Sequence, residues 1–135
     1  MIEKELTVDA VIDNVPTVTD FVNEQLEAAD CPPKLQIQMD IAIDEVFSNI
    51  AFYAYAPGKG SATVRLRIDE AAVTLTFSDS GKPFDPLAKE DPDVTLDAQS
   101  RKIGGLGIFM VKKLASDVRY AFLDGRNVLT VVFAL

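Results

Sequence analysis

Three short stretches hold residue types that chemistry can use. The first is Asp44-Glu45-Val46-Phe47-Ser48-Asn49. Glu45 and Asn49 are one helical turn apart, so a helix projects both from one side. A carboxylate there can orient or deprotonate a hydroxyl or a water. An amide oxygen one turn away can ligate Mg²⁺, which takes hard oxygen ligands and keeps several waters. Taken alone, the pair reads more readily as a solvated helix face. The second stretch is Asp79-Ser80-Gly81-Lys82-Pro83-Phe84-Asp85, directly after an apolar run. A carboxylate at a strand end can accept a hydrogen bond from an exocyclic amine such as that of adenine. Gly81 would let the backbone approach a flat ring. Its ordinary reading is a turn leaving a strand. The third stretch is Gly104-Gly105-Leu106-Gly107, which gathers three of the 7 glycines at the start of an amphipathic segment. Glycines free the backbone to wrap phosphate oxygens, and a helix N-terminus adds unpaired N–H donors and a positive dipole end. A hinge is the plainer reading.

Other phosphate motifs fail. Gly58-Lys59 is followed by Gly60 and preceded by Tyr53 where a P-loop needs glycine, and a Rossmann pattern from Gly105 needs glycine where Met110 stands. Composition removes further classes. The net charge is −8, from 21 acidic and 13 basic residues. No basic stripe is available to displace counterions, so a nucleic-acid partner is not expected. One nucleotide held by backbone N–H groups and a metal ion stays compatible with that charge. Cys31 is the only cysteine and histidine is absent, which excludes an intrachain disulfide, a thiolate or imidazole metal site and a Ser-His-Asp triad. No apolar run reaches the length of a membrane span, and the first residues lack a signal-peptide core. A cytoplasmic domain without membrane contact is expected. The 135 residues, 48% hydrophobic, suit a single domain over 1–135 with one core.

The elements that position these stretches follow from periodicity. Residues 2–8 alternate as a strand. Asn14 is placed to cap a helix with Pro16 in its first turn, and Val18, Phe21, Val22 and Leu26 form its apolar face. A break at 30–33 precedes a long helix over 34–55, whose inner face is Leu35, Met39, Ile43, Val46, Phe47, Ile50 and Ala54. Two strands over 62–68 and 72–78 form a hairpin. Residues 79–103 form a long polar connection. A helix over 106–115 and a hairpin of 118–123 with 128–134, turning at 124–127, complete the chain. The order β-α-α-β-β-loop-α-β-β predicts an α+β two-layer sandwich, with a mostly antiparallel mixed sheet and helices on one face.

In this order and context the three stretches resemble the GHKL ATPases, which include histidine-kinase catalytic domains and gyrase B. Glu45 and Asn49 resemble the N box, Asp79-Ser80-Gly81 the G1 box, and Gly104-Gly105-Leu106-Gly107 the G2 box. Residues 86–103 resemble the ATP lid. The resemblance runs through essentially the whole chain. It is nearest to the small stand-alone branch, the bacterial anti-sigma factor serine kinases, which share an aromatic stretch like Tyr53-Ala54-Tyr55 and a continuation like Pro83-Phe84-Asp85-Pro86.

That resemblance implies a Bergerat fold binding ATP and Mg²⁺. It makes Glu45 the catalytic base, Asn49 the Mg²⁺ ligand and Asp79 the adenine reader. Gly81 would admit the base closely, and Gly104, Gly105 and Gly107, with Leu106 between them, would line the phosphates. It implies a protein serine kinase that phosphorylates a STAS-type anti-anti-sigma partner. Many such kinases also sequester a sigma factor, and the branch allows a homodimer. An ATP-gated protein-binding switch without phosphotransfer is the alternative. One departure stands out: Phe52 and Tyr53 occupy a stretch where this branch often carries histidine.

Overall fold

A computed structural model describes residues 1–88 and 106–135. Five strands form one sheet in the order β1-β2-β3-β5-β4. They are β1 (Ile2–Asp9), β2 (Ser61–Ile68), β3 (Ala72–Asp79), β4 (Asp117–Leu123) and β5 (Arg126–Ala134). The sheet expected to be mostly antiparallel is antiparallel at all four pairings among the described strands.

Strand alternation puts every second side chain on one face. Val64, Leu66 and Ile68 of β2 stand opposite Phe77, Leu75 and Val73 of β3, which in turn stand opposite Leu129, Val131 and Phe133 of β5. Three helices cover that apolar face: α1 (Val15–Ala28), α2 (Pro33–Asn49) and α3 (Leu106–Leu114). Val18, Val22 and Leu26 of α1, Met39, Ile43 and Phe47 of α2, and Ile108 and Val111 of α3 join the strand residues in one core. The opposite sheet face is polar, with the Thr7 and Thr63 hydroxyls 2.9 Å apart across β1 and β2. The architecture is the two-layer sandwich expected from the order of elements.

Three local features differ from the sequence reading. Asn14 does precede α1, but its side chain makes no cap; Nδ2 donates to the Asp9 carbonyl over 2.8 Å, tying the helix start to the end of β1. The long helix is α-helical only through Asn49 and continues as a π-helical segment, Ile50–Ala54. This segment buries Ala54 and leaves Phe52 and Tyr53 more than half exposed. The last hairpin turns in two residues, Asp124 and Gly125, both at positive φ. That is the geometry of a tight hairpin turn matched to strand twist, and it starts β5 at Arg126, so that Asn127 lies within the strand. Among the described residues no helix is long and apolar enough to cross a membrane. Apart from the short turn Pro86–Ala88, the expected lid over 86–103 lies outside the described residues, as do Gly104 and Gly105.

Candidate functional site

The helix end and the turn after β3 hold each other. The Ala54 carbonyl, left without a helical partner, accepts the Lys82 N–H at 2.9 Å. The Tyr55 hydroxyl accepts the Ser80 N–H at 2.8 Å and donates to the Ser61 carbonyl at 2.6 Å. Gly81 makes this clamp feasible, because a Cβ there would overlap the Ala54 carbonyl. The absent side chain at 81 thus has a reason within the protein, besides any approach to a ligand ring.

Asp79 ends β3 on the buried face and is 4% exposed. Its Oδ1 accepts the Gly81 N–H and the Asn127 amide, each at 2.9 Å. Asn127 is its register partner on β5 and is also buried. The Asn127 amide fills its hydrogen-bonding capacity. Nδ2 also donates to the Lys82 carbonyl at 2.8 Å, and Oδ1 accepts the Phe84 N–H at 3.0 Å and the Tyr120 hydroxyl. These partners fix which end of the amide is which. Asn127 therefore holds Asp79 and the backbone on both sides of Pro83 in one arrangement.

A cleft of about 470 Å³, counted to its open mouth, lies between the helix layer and this end of the sheet. Val46, Ile50, Phe77, Ile108 and Leu129 give it apolar walls, and Asn49, Asp79 and Asn127 supply polar groups. Tyr53, Lys82 and Phe84 also line it, and the Tyr53 and Phe84 ring centroids are 6.5 Å apart. An apolar slot with a few convergent polar groups suits a planar organic ligand. The hydrogen bonds given to Asp79 within the protein fall on Oδ1, which leaves Oδ2 able to accept from an amine. Asn49 puts an amide in the same cleft. Among the described residues no group of three or more Asp, Glu or Cys converges on a point. The Asn49 amide oxygen is a hard ligand of the kind Mg²⁺ accepts.

Glu45 stands apart from the cleft walls. Its carboxylate lies against Gly107 in the first turn of α3, where a Cβ would overlap Cδ and both carboxylate oxygens. Burial, and then the neighbouring Asp44 charge, push the Glu45 carboxyl above the ordinary glutamate range. That shift moves it toward the pH at which a general base works best.

Of the residues singled out from sequence, Asn49 and Asp79 share the cleft, while Glu45 meets Gly107 beside it. Sequence reading missed Asn127, Tyr120 and Tyr55. Asn127 had a signal: it continues the alternation Leu129, Val131, Phe133 as the polar member of an apolar row.

This arrangement defines a class: an α+β sandwich with an apolar cleft between its helices and one end of an antiparallel sheet. The chain belongs to the family described as the histidine kinase-like ATPase domain, whose model matches residues 8–133. It is similar to serine-protein kinase RsbW of Listeria monocytogenes, 32% identical over 95 residues, which cover 67% of this chain and 60% of that protein. It is also similar to serine/threonine-protein kinase BtrW of Bordetella bronchiseptica, 27% identical over 99 residues, covering 73% and 70%. RsbW of Bacillus cereus is 28% identical over 95 residues, covering 67% and 59%. The chain thus matches less than two thirds of the length of the Listeria relative.

Proposed function

We propose that this chain is an ATP-dependent protein serine kinase of the anti-sigma regulator type, with a STAS-type anti-anti-sigma protein as its phosphate acceptor. The observation that carries the ATP site is the buried Asp79 carboxylate, held by Asn127 at the end of an apolar cleft with one acceptor oxygen to spare. The kinase names of the similar proteins support the reaction class. The adenine amine donates to Asp79. Asn49 helps hold Mg²⁺, which neutralises phosphate charge when bound. Gly104, Gly105 and Leu106 line the phosphates, with Gly107 next to them in the chain. Glu45 takes the proton from the partner's serine hydroxyl. The serine oxygen bonds to the γ-phosphorus as the bond from that phosphorus to the bridging oxygen of ADP breaks. Phosphoserine and ADP are the products, and Glu45 returns its proton to solvent. On this reading a sigma factor and a second copy of the chain are candidate further partners, and the cytoplasm is the setting.

The test is transfer of labelled γ-phosphate to a STAS protein. Label should stay on the partner through an acid wash, as phosphoserine does, and this chain should remain unlabelled. Acid-labile label, or label on this chain alone, would contradict the proposal. A second reading, an ATP-gated binding switch without phosphotransfer, draws support from one observation: Glu45 does not line the cleft. ATP binding with no transfer to any STAS protein would favour it.

A further inference from the structure

We infer that Gly107 is a positioning residue for Glu45: the space left by its missing side chain is the seat of the Glu45 carboxylate, so α3 sets where that carboxylate stands. The consequence for turnover rests on the kinase reading above, but the seat itself does not.

The contact is specific. A Cβ at Gly107 would overlap Cδ, Oε1 and Oε2 of Glu45, the whole functional end of the side chain. Backbone conformation gives no other reason for glycine here. Gly107 lies inside α3, and among the described glycines only Gly125 has positive φ. What Gly107 supplies is therefore room. The two walls of the seat are pinned by their neighbours: Val46, next to Glu45, and Ile108, next to Gly107, are both buried in the core. With both helices held, a methyl group at 107 displaces the flexible Glu45 arm rather than either backbone. The Glu45 carboxyl is half-buried in its seat, and losing the seat returns it to water.

A glycine at this point can serve instead to let phosphate approach the backbone, and the two roles separate by experiment. Gly107→Ala is prepared in the full chain, with the Glu45 carboxyl followed by ¹³C NMR titration and assigned with Glu45→Gln. The seat predicts that the Glu45 titration midpoint falls back toward the ordinary glutamate range in Gly107→Ala. It also predicts that Mg·ATP affinity stays within about threefold while turnover at saturating ATP drops roughly 10²-fold, the cost of a base moved by about 1 Å. Shortening the arm removes the conflict: in a Glu45→Asp background, adding Gly107→Ala should change turnover by less than about threefold, a non-additivity expected of residues in contact. An unchanged Glu45 titration, or weakened ATP affinity with turnover at saturation intact, would overturn the inference. Should the wild type transfer no phosphate, the kinase reading fails while the titration still decides the seat.

Discussion

Asp79 and Asn127 face each other across β3 and β5, and the asparagine amide donates to the carboxylate over 2.9 Å with both side chains buried. Removing the amide would take one hydrogen bond from the Phe84 N–H and one from the Lys82 carbonyl, and leave Asp79 with one donor fewer. Asn127→Ala should lower unfolding free energy by roughly 2–4 kcal/mol, the cost of stranding buried polar groups. It should also weaken ATP binding, because the carboxylate loses its orientation. Urea denaturation and calorimetry on the same variant check both effects, and a variant as stable as wild type would contradict the account of this network.

Gly81 should not tolerate a side chain. A methyl group there meets the Ala54 backbone rather than a movable side-chain end. Gly81→Ala has to open the clamp between the helix end and the Asp79 turn, with loss of the Lys82 N–H bond to Ala54. The expected cost is about 2–4 kcal/mol of stability, from steric overpacking plus one lost hydrogen bond. Thermal unfolding reads it, and faster exchange of the Lys82 amide should accompany it.

Glu45→Gln should separate binding from chemistry. Mg·ATP affinity should stay within a few fold while phosphotransfer falls by roughly 10²–10⁴, the usual loss when a general base is removed. Because burial raises the Glu45 carboxyl, the folded state holds that proton more tightly than the unfolded chain does. Wild-type stability from this group is therefore intact below the ordinary glutamate range and is lost as the pH rises through the raised folded value. Glu45→Gln abolishes that loss, so its stability relative to wild type should rise from acidic to neutral pH. The same ionisation sets an acid limb on turnover above the ordinary glutamate range. A flat stability difference across this pH window would remove the desolvated carboxylate from the account.

Much of this fold is written in local pattern. The three- and four-residue spacing of Leu35, Met39, Ile43 and Phe47 marks α2, and the alternation of Val73, Leu75 and Phe77 marks β3 and places Asp79 next in the same row. Asn49 and Asp79, which both line the cleft, are legible in sequence because a polar group at the end of an apolar pattern stands out. Asn127 was not, because asparagine beside Asp124-Gly125 reads as part of a turn. The two-residue turn that returns it to the strand is decided by the pairing of β4 with β5. Gly81 and Gly107 also face Ala54 and Glu45, far away in the chain. No local pattern carries such contacts, so sequence reading relates both glycines to a ligand alone.

Asp79 is proposed to read adenine in the cleft, and nucleotide preference tests that role most directly. Adenine offers an exocyclic amine as donor, whereas guanine carries an oxygen acceptor at the matching position, which a carboxylate repels. Calorimetry with Mg·ATP and Mg·GTP on wild type and Asp79→Asn separates the cases. Wild type should bind ATP and discriminate against GTP, and Asp79→Asn should lose ATP affinity by roughly 10–100-fold, as expected when a buried hydrogen-bonded charge is replaced. Equal ATP affinity in wild type and Asp79→Asn, or equal affinity of wild type for the two nucleotides, would contradict the assignment.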